Sequence, residues 1–431
     1  MRRFHIHAIL ALGLMMLVPA ARAQDFDTYF DDRTLRIDYS FVGNARSQSI
    51  YVSELLQSPG WAGRRHHLDE LPLDGNGDIT MRDKQTGTVI YRTSFSTLFQ
   101  EWQGQEEATR TDRAFENTFL LPFPKTPAEV TIELRDYHHR TTASLTHTVD
   151  PTDILIRHLP KSEAPVRELH RGGTSRECID VAIVAEGYTE SEMETFYRDA
   201  QTACRAILAH APFDRLAGRF NFIAVGAPSE DSGVSVPREG MWRRTAVGSN
   251  FDTFYSDRYL TTGHVRRLND LLAGLPYEHI IVLANTQTYG GGGIYNFYTL
   301  TAAHHAQFAP VVVHEFGHSF GGLADEYFYD DQYTPMYPSD TEPWEPNLTT
   351  LKDFSSKWAD MLPEGTPVPT PPVTDPSLVY TQVGVYEGGG YSSKGVYRPA
   401  TECRMKINEA PAFCPVCQRA LERLIRFYTE E

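Results

Sequence analysis

The 431-residue sequence lacks the features that mark several classes of protein. It has no bias typical of disordered, collagenous or coiled-coil chains, since 41% of residues are hydrophobic, 22% charged and 12% aromatic. Basic residues are few, 40 against 56 acidic ones, and the formal charge of −16 disfavours binding to nucleic acid or anionic lipid. Beyond the first 23 residues no apolar stretch is long enough to span a bilayer. We therefore expect a globular protein of two or three domains, with no nucleic-acid partner and no membrane anchor.

The first 23 residues have the pattern of a secretory signal. Two arginines precede an apolar run over residues 9–18, and Ala21 and Ala23 occupy the positions that a signal peptidase reads. The run is shorter than the roughly 20 apolar residues of a membrane-spanning helix. We therefore expect cleavage before Gln24 and a secreted or periplasmic protein.

Export affects how the five cysteines are interpreted, because an oxidising compartment permits disulfides. Their number is odd, so at least one thiol stays unpaired or binds something else. Cys403, Cys414 and Cys417 lie close together in the sequence and supply three of the four ligands of a structural zinc site. We favour instead a disulfide that joins Cys403 to Cys414 or Cys417. A redox pair between Cys414 and Cys417 is disfavoured, because the motif opens no βαβ unit.

Residues 24–160 are predicted to form an all-β, sandwich-like domain. Three segments alternate apolar and polar residues and a fourth does so more weakly, which is typical of short strands with one buried face. These segments are Thr34–Ser40, Val89–Thr93, Glu129–Leu134 and Ser144–Val149. No catalytic cluster stands out in this region.

Residues 161–431 are predicted to form an α/β (α+β) domain. Thr189 and Glu192 form a capping box at the start of a helix that we expect to run to about residue 210. Strands that alternate with helices indicate a sheet covered by helices. Three near-continuous apolar runs predict buried strands: Cys178–Ala185, Asn221–Val225 and His279–Ala284.

The strongest chemical signal is the run His314-Glu315-Phe316-Gly317-His318. Residues four apart lie on one face of a helix, so both imidazoles can converge on one ion. Glu315 then lies near the open coordination position, where a carboxylate can take a proton from water. We therefore predict a helix that carries the zinc ligands His314 and His318 and the general base Glu315.

A third ligand is expected just after this helix. Gly321 and Gly322 can end the helix and turn the chain back, because glycine tolerates positive φ. In the metzincin arrangement a histidine follows such a turn, but the corresponding position here holds Ala324, which cannot bind a metal. We favour Asp325 over Glu326, since counting from Gly322 restores the spacing. The alternative is that one of these carboxylates only orients a histidine.

Other features surround the predicted helix. Met405 is a candidate for a methionine turn that packs beneath the imidazoles. Gly290–Gly293 and residues 294–301 predict a flexible rim and an edge strand, to which an extended substrate can add by backbone hydrogen bonds. Five nearby side chains are candidates for stabilising an oxyanion, and the pattern singles out none of them: Tyr386, Tyr391, Tyr397, His304 and His305.

These segments together resemble the M64 peptidases, a metzincin-like family named for an immunoglobulin A peptidase. The resemblance spans roughly residues 178–427 and implies a zinc-dependent endopeptidase. It implies that His314, His318 and Asp325 bind zinc and that Glu315 is the general base. The segments that carry it are DVAIVAEGYT from Asp180, FDTFYSDRYL over 251–260, HEFGHSFGGLADEY over 314–327 and the CRM…FCPVC tail.

The sequence therefore predicts a multidomain protein with three parts. A signal peptide (1–23) is followed by a β-sandwich-like accessory domain (24–160) and a metzincin-like zinc peptidase domain (161–431). The predicted function is zinc-dependent hydrolysis of peptide bonds in a protein or glycoprotein substrate. Two alternatives stay open. One is a non-catalytic extracellular protein that binds glycan or protein and holds a structural zinc, and the other is a cell-wall zinc amidase with the same site.

Overall fold

The computed structural model describes residues 25–329 and 336–430. The predicted signal peptide and its cleavage site lie outside these residues. The described chain has two units, an N-terminal β-rich unit and a second unit built on a mixed sheet. Within these residues no helix combines the length and the apolar character needed to cross a lipid bilayer.

Between residues 25 and 158 the chain forms eight strands and two short α-helices. They are α1 (Phe26–Tyr29), β1 (Phe30–Gly43), β2 (Gln48–Pro59), β3 (Gly77–Asp83), β4 (Val89–Phe95), α2 (Leu98–Gln103), β5 (Arg113–Pro124), β6 (Ala128–Arg135), β7 (Thr141–Val149) and β8 (Arg157–His158). One sheet has the strand order β5-β1-β2-β8 and the other has the order β4-β3-β6-β7. The four strands predicted from alternation are confirmed as parts of β1, β4, β6 and β7.

The alternation of side chains explains why the two sheets pack together. Leu35, Ile37 and Tyr39 of β1 are fully buried, as are Val130 and Ile132 of β6. These residues from different sheets belong to one apolar cluster. Because alternate residues of a strand point to the same face, each sheet contributes one apolar face to this core.

The second unit contains the elements that position the candidate site. Its strands are β9 (Val166–Arg171), β10 (Ile179–Glu186), β11 (Phe220–Val225), β12 (His279–Ala284), β13 (Gly291–Ile294), β14 (Tyr298–Ala302), β15 (Phe328–Tyr329), β16 (Tyr386–Gly389) and β17 (Tyr391–Arg398). Its α-helices within the described ranges are α3 (Met193–Leu208), α4 (Val265–Leu271), α5 (Phe308–Ser319) and α6 (Pro415–Thr429).

A six-stranded sheet of order β13-β14-β12-β10-β11-β9 forms the centre of this unit. The four inner strands are parallel and both edge strands are antiparallel to their neighbours. β10 and β12 are buried at every residue, as their continuous apolar runs predicted. Helices α3, α5 and α6 cover one face, and α4 with part of the N-terminal unit covers the other. The predicted α/β character is confirmed, and the predicted capping box is present before α3.

The chain passes from one unit to the other after β8. β8 pairs with β2 in the N-terminal unit, whereas β9 pairs with β11 in the mixed sheet. The boundary that we place between residues 160 and 161 stays a prediction. A short three-stranded sheet of order β15-β17-β16 lies beyond α5.

The two units contact each other through an ion pair and through backbone and side-chain hydrogen bonds. Arg36 Nη1 lies 2.6 Å from Asp270 Oδ1. Ser96 N–H donates to the carbonyl of Tyr295 at 3.0 Å, and Asn296 Nδ2 donates to the carbonyl of Ser94 at 2.8 Å. The N-terminal unit therefore lies against the turn between β13 and β14. The chain continues from β14 into α5.

Candidate metal centre

Helix α5 carries the predicted motif. Pro310 lies in its first turn, where the missing N–H has no intrahelical partner to lose. Phe316 is fully buried in the core against the sheet. Gly317 weakens a helix intrinsically, but a Cβ at this position would lie only 2.8 Å from Met405 Sδ. The glycine therefore lets Met405 pack directly against the helix backbone.

Three donor atoms converge where α5 ends. His314 Nε2 lies 3.1 Å and His318 Nε2 lies 3.2 Å from Asp325 Oδ1, and the two nitrogens are 3.0 Å apart. Nitrogen and oxygen ligands of a tetrahedral zinc, with bonds of about 2.0–2.1 Å, are separated by about 3.3 Å. The separations of the three atoms therefore fit three ligands of one zinc ion.

The hydrogen bonds of the two imidazoles support this fit. His314 Nδ1 lies 2.9 Å from the carbonyl of Arg404, and His318 Nδ1 lies 2.6 Å from the carbonyl of Leu323. Each Nδ1 therefore donates a proton to a carbonyl, which leaves a lone pair on Nε2. The two Nε2 atoms and the oxygen of Asp325 then face one another, an arrangement that a proton or a metal cation between them would stabilise.

Electrostatics at the site also favour positive charge. Burial opposes a proton on His318, but the Asp325 carboxylate outweighs burial and raises the pKa of His318 to about 9. Burial likewise opposes charge on Asp325, yet the two imidazoles hold the pKa of this carboxyl well below its usual range. A cation at the centre of the three groups would take over the role of that proton.

Glu315 lies beside the three donor atoms. One of its carboxylate oxygens is within 4.8 Å of a donor nitrogen of each imidazole. Burial raises the pKa of Glu315, whereas both imidazoles and a hydrogen bond from Gly293 N–H oppose this rise. A carboxylate with a raised pKa is suited to accept a proton near neutral pH.

The turn after α5 directs Asp325 toward the imidazoles. Gly322 has φ of +58°, the left-handed conformation that glycine adopts without strain. The side-chain amide of Asn347 accepts a hydrogen bond from Ala324 N–H at 2.8 Å and donates one to the Ala324 carbonyl at 2.9 Å. Gly390 N–H donates to the carbonyl of Asp325 at 2.8 Å. The backbone on both sides of the Asp325 side chain is therefore fixed.

Glu326, the alternative third ligand, faces a different part of the molecule. Its Oε1 accepts a hydrogen bond from Asn347 Nδ2 at 3.0 Å and lies 3.1 Å from Cys417 Sγ. Its backbone N–H donates to the carbonyl of Met405 at 2.8 Å. The structure thus brings Asp325, and not Glu326, next to the two histidines.

The disulfide favoured from the sequence is not present in the structure. All five cysteines are free, and the sulfurs of Cys403 and Cys417 lie 3.9 Å apart. A disulfide requires about 2.05 Å. The preference for a disulfide is therefore wrong for this structure, because Cys417 contacts the carboxylate of Glu326 instead of bonding to a second sulfur.

Tyr391 is a site residue that the sequence did not distinguish from other tyrosines. Its hydroxyl donates a hydrogen bond to Oδ2 of Asp325, on the side of the carboxylate away from the imidazoles. The hydroxyl of Tyr327 lies 3.4 Å from that of Tyr391. Tyr391 therefore orients Asp325. This role follows from the folded contact between β17 and Asp325, and no spacing of residues in the sequence indicates it.

The N-terminal unit also places a carboxylate, that of Glu101, within electrostatic reach of His318, Asp325 and Glu315. The hydroxyl of Tyr259 donates to the carboxylate of Glu101 in α2, and a Cβ at Gly292 would lie 2.6 Å from the Tyr259 ring. Burial raises the pKa of Glu101 to about 7, against the opposing effects of Tyr259 and His318. No sequence pattern singled out Glu101.

The edge strand is less open than the sequence suggested. β13 is the terminal strand of the sheet, but Tyr259 forms a bridge with Gly291 on its outer side. Gly291 N–H donates to the carbonyl of Arg258 at 3.3 Å. The outer side of β13 at Gly291 is therefore already occupied by Arg258 and Tyr259.

Comparison with known proteins assigns the family. A family model described as IgA Peptidase M64 matches residues 167–377 and 373–425, which is more than half of the chain. A model described as Peptidase M64 N-terminus matches residues 25–146. No curated protein matches the chain. The chain belongs to the peptidase M64 family, so the protein is a peptidase that acts on protein substrates, and the resemblance seen in the sequence is confirmed.

Proposed function

We propose that this peptidase is an exported, zinc-dependent endopeptidase with a metzincin-like catalytic domain. The observation that carries the proposal is the convergence of His314, His318 and Asp325, with Glu315 beside them. Three protein ligands and an open fourth position are typical of catalytic zinc, whereas structural zinc is enclosed by four. A protein or glycoprotein is the expected substrate.

Each residue of the site has a role in this proposal. His314, His318 and Asp325 would hold zinc, which when bound supplies the Lewis acidity that activates water and polarises the scissile carbonyl. Glu315 takes a proton from the water as the water oxygen bonds to the carbonyl carbon. Glu315 then gives the proton to the amine nitrogen as the C–N bond breaks. The Gly293 N–H keeps the Glu315 carboxylate oriented for both transfers.

Three contacts support the metzincin-like assignment. The turn at Gly322 returns the chain to α5 directly after the second histidine. Met405 packs beneath α5 at Gly317. The antiparallel edge strand β13 runs beside α5, since a Cβ at Gly291 would lie 3.1 Å from Glu315 Oε1.

The variant Glu315→Gln tests the proposal. It keeps the size and hydrogen bonds of the side chain but cannot accept the proton, so cleavage of casein or a peptide library should fall by about 10²- to 10⁴-fold. Zinc content and thermal stability should stay at the wild-type level. Glu364→Gln, in an exposed loop, is the matched control and should keep full activity. Undiminished proteolysis by Glu315→Gln would refute the assignment.

Export is a separate part of the proposal. It rests on the charged, apolar and small-residue pattern of residues 1–23. Amino-terminal sequencing of the protein recovered outside the cytoplasm should give Gln24 as the first residue. A chain that keeps Met1 and stays in the cytoplasm would contradict it.

A further inference from the structure

A second group of metal-donor side chains lies directly behind the candidate metal centre. Glu326, Cys403, Cys414 and Cys417 each place one donor atom within 4.8 Å of the other three. None of the four residues is more than 1% exposed. Four donors with no opening to solvent have the composition and closure of a structural metal site.

We propose that Glu326, Cys403, Cys414 and Cys417 bind a second zinc ion. The sulfurs of Cys403 and Cys417 are 3.9 Å apart, close to the separation of about 3.8 Å expected for thiolates on tetrahedral zinc with bonds of about 2.3 Å. Glu326 Oε1 lies 3.1 Å from Cys417 Sγ. Thiolates select zinc over magnesium or calcium. The sequence supplied only three ligands for such a site, and the structure adds the fourth.

Backbone N–H groups are directed at the sulfur atoms. Cys414 N–H donates to Cys403 Sγ at 3.2 Å. The N–H of Met405 also donates to Cys403, and that of Cys417 donates to Cys414. Cys414 caps α6, and the positive end of a helix stabilises a thiolate. The backbone therefore places hydrogen-bond donors at the sulfurs of Cys403 and Cys414.

A disulfide among the cysteines would not explain why the carboxylate of Glu326 is buried beside them. Its Oε2 is buried and has no hydrogen-bond partner. Asn347 Nδ2 donates to Oε1 at 3.0 Å and turns the carboxylate toward the sulfurs. Buried polar atoms are normally paired, and a cation among the sulfurs would pair this one.

Positive charge nearby limits the net charge of the proposed site. Arg398, 6% exposed, acts electrostatically on Glu326. Arg404, 4% exposed, interacts in the same way with Cys403. Zinc with three thiolates and one carboxylate carries two negative charges, so two buried guanidinium groups suit this composition.

The position of the second site links it to the first. Glu326 directly follows Asp325, and Cys403 directly precedes Arg404, whose carbonyl accepts the proton of His314 Nδ1. An ion that joins Glu326 to Cys403 would fix Asp325 and His314 relative to each other. This consequence rests on the proposed function, whereas binding of the ion does not.

Metal analysis of the full chain tests the proposal. We expect two zinc ions per wild-type chain, one in His318→Ala and one in Cys414→Ser. After exchange for cobalt, the near-ultraviolet charge-transfer absorption of a thiolate–cobalt bond should be present in the wild type and in His318→Ala and lost in Cys414→Ser. Because the candidate metal centre contains no sulfur, its failure to bind would not affect this absorption.

The control is Cys204→Ser, which changes a buried cysteine outside the cluster and should keep both ions and the absorption. The wild-type spectrum decides the question even if Cys414→Ser does not fold. Absence of the thiolate–cobalt absorption from the folded wild type would overturn the proposal. The proposal would also be overturned if the wild-type protein had a mass lower by two hydrogens and peptide mapping showed Cys403 linked to Cys414 or Cys417.

Discussion

Asp325 belongs to one donor cluster and the next residue, Glu326, to the other, yet the two clusters differ in exposure and in composition. The imidazoles of the first cluster are 13% and 15% exposed, and Glu315 lies beside them in addition to the three converging donors. The residues of the second cluster are essentially buried, and every carboxylate and thiol in it is a donor. An open site with a spare base suits a reaction on a substrate, whereas a closed site suits a structural role. Solvent exposure and the presence of an additional carboxylate, Glu315, distinguish the two clusters more than the type of donor atom does.

Removing Asp325 should separate the clusters most clearly. Asp325→Ala deletes one of three donors at the open cluster, so zinc affinity there should fall by more than about 100-fold, beyond the effect of losing a supporting residue. Chelator competition measures this loss, and the thiolate–cobalt absorption of the closed cluster should persist. Unchanged affinity at the open cluster would instead support water or Glu326 as the third ligand.

Removing the hydroxyl of Tyr391 should weaken the open cluster less. Tyr391→Phe deletes the hydrogen bond that orients Asp325, and zinc affinity should fall by about 10-fold. Tyr397→Phe, also in β17, is the matched control. Equal affinities of the two variants would show that Tyr391 does not position the carboxylate.

Crowding the helix of the open cluster should cost about 1–3 kcal/mol of stability. In Gly293→Ala, the added Cβ would lie 2.2 Å from the carbonyl oxygen of Glu315 and 2.9 Å from Cβ of His318. Thermal unfolding should show the loss. Gly263→Ala, whose Cβ would meet open space, should leave the melting temperature unchanged. Equal melting temperatures would argue against tight packing of β13 on α5.

The smallest expected effect comes from the N-terminal unit. Burial raises the pKa of Glu101 to about 7 in the folded protein, so its contribution to stability is present below the unfolded pKa and is lost as pH rises through 7. Glu101→Gln should therefore be more stable than wild type at pH 8, by on the order of 1 kcal/mol, and equal to it near pH 4. Denaturant unfolding at both pH values measures this. A difference that does not vary with pH would contradict it.

Local patterns predicted much of the fold. The bounds of β12 agree with its apolar run, and the capping box at Thr189 leads into α3. The spacing of His314 and His318 predicted two imidazoles on one helix face, and the structure brings their nitrogens to 3.0 Å. These features depend on residues close in sequence, where strand and helix periodicity is decisive.

Contacts between distant segments were not predictable in this way. The cysteines alone suggested a disulfide, because nothing in their spacing shows that Glu326 lies among them. Tyr391 contacts Asp325 from β17, and Glu101 of the N-terminal unit lies within electrostatic reach of the site. Pairings of this kind require the packing of whole elements.

The sequence by itself determined that a helix carries His314, Glu315 and His318 and that a glycine turn follows, because both depend on backbone geometry within a few residues. It did not determine which of Asp325 and Glu326 faces the histidines. That choice was made by hydrogen bonds that Ala324, Asp325 and Glu326 form with Asn347, Gly390 and Met405. These bonds orient two adjacent carboxylates in opposite directions, and they form only when the distant segments pack against the end of α5.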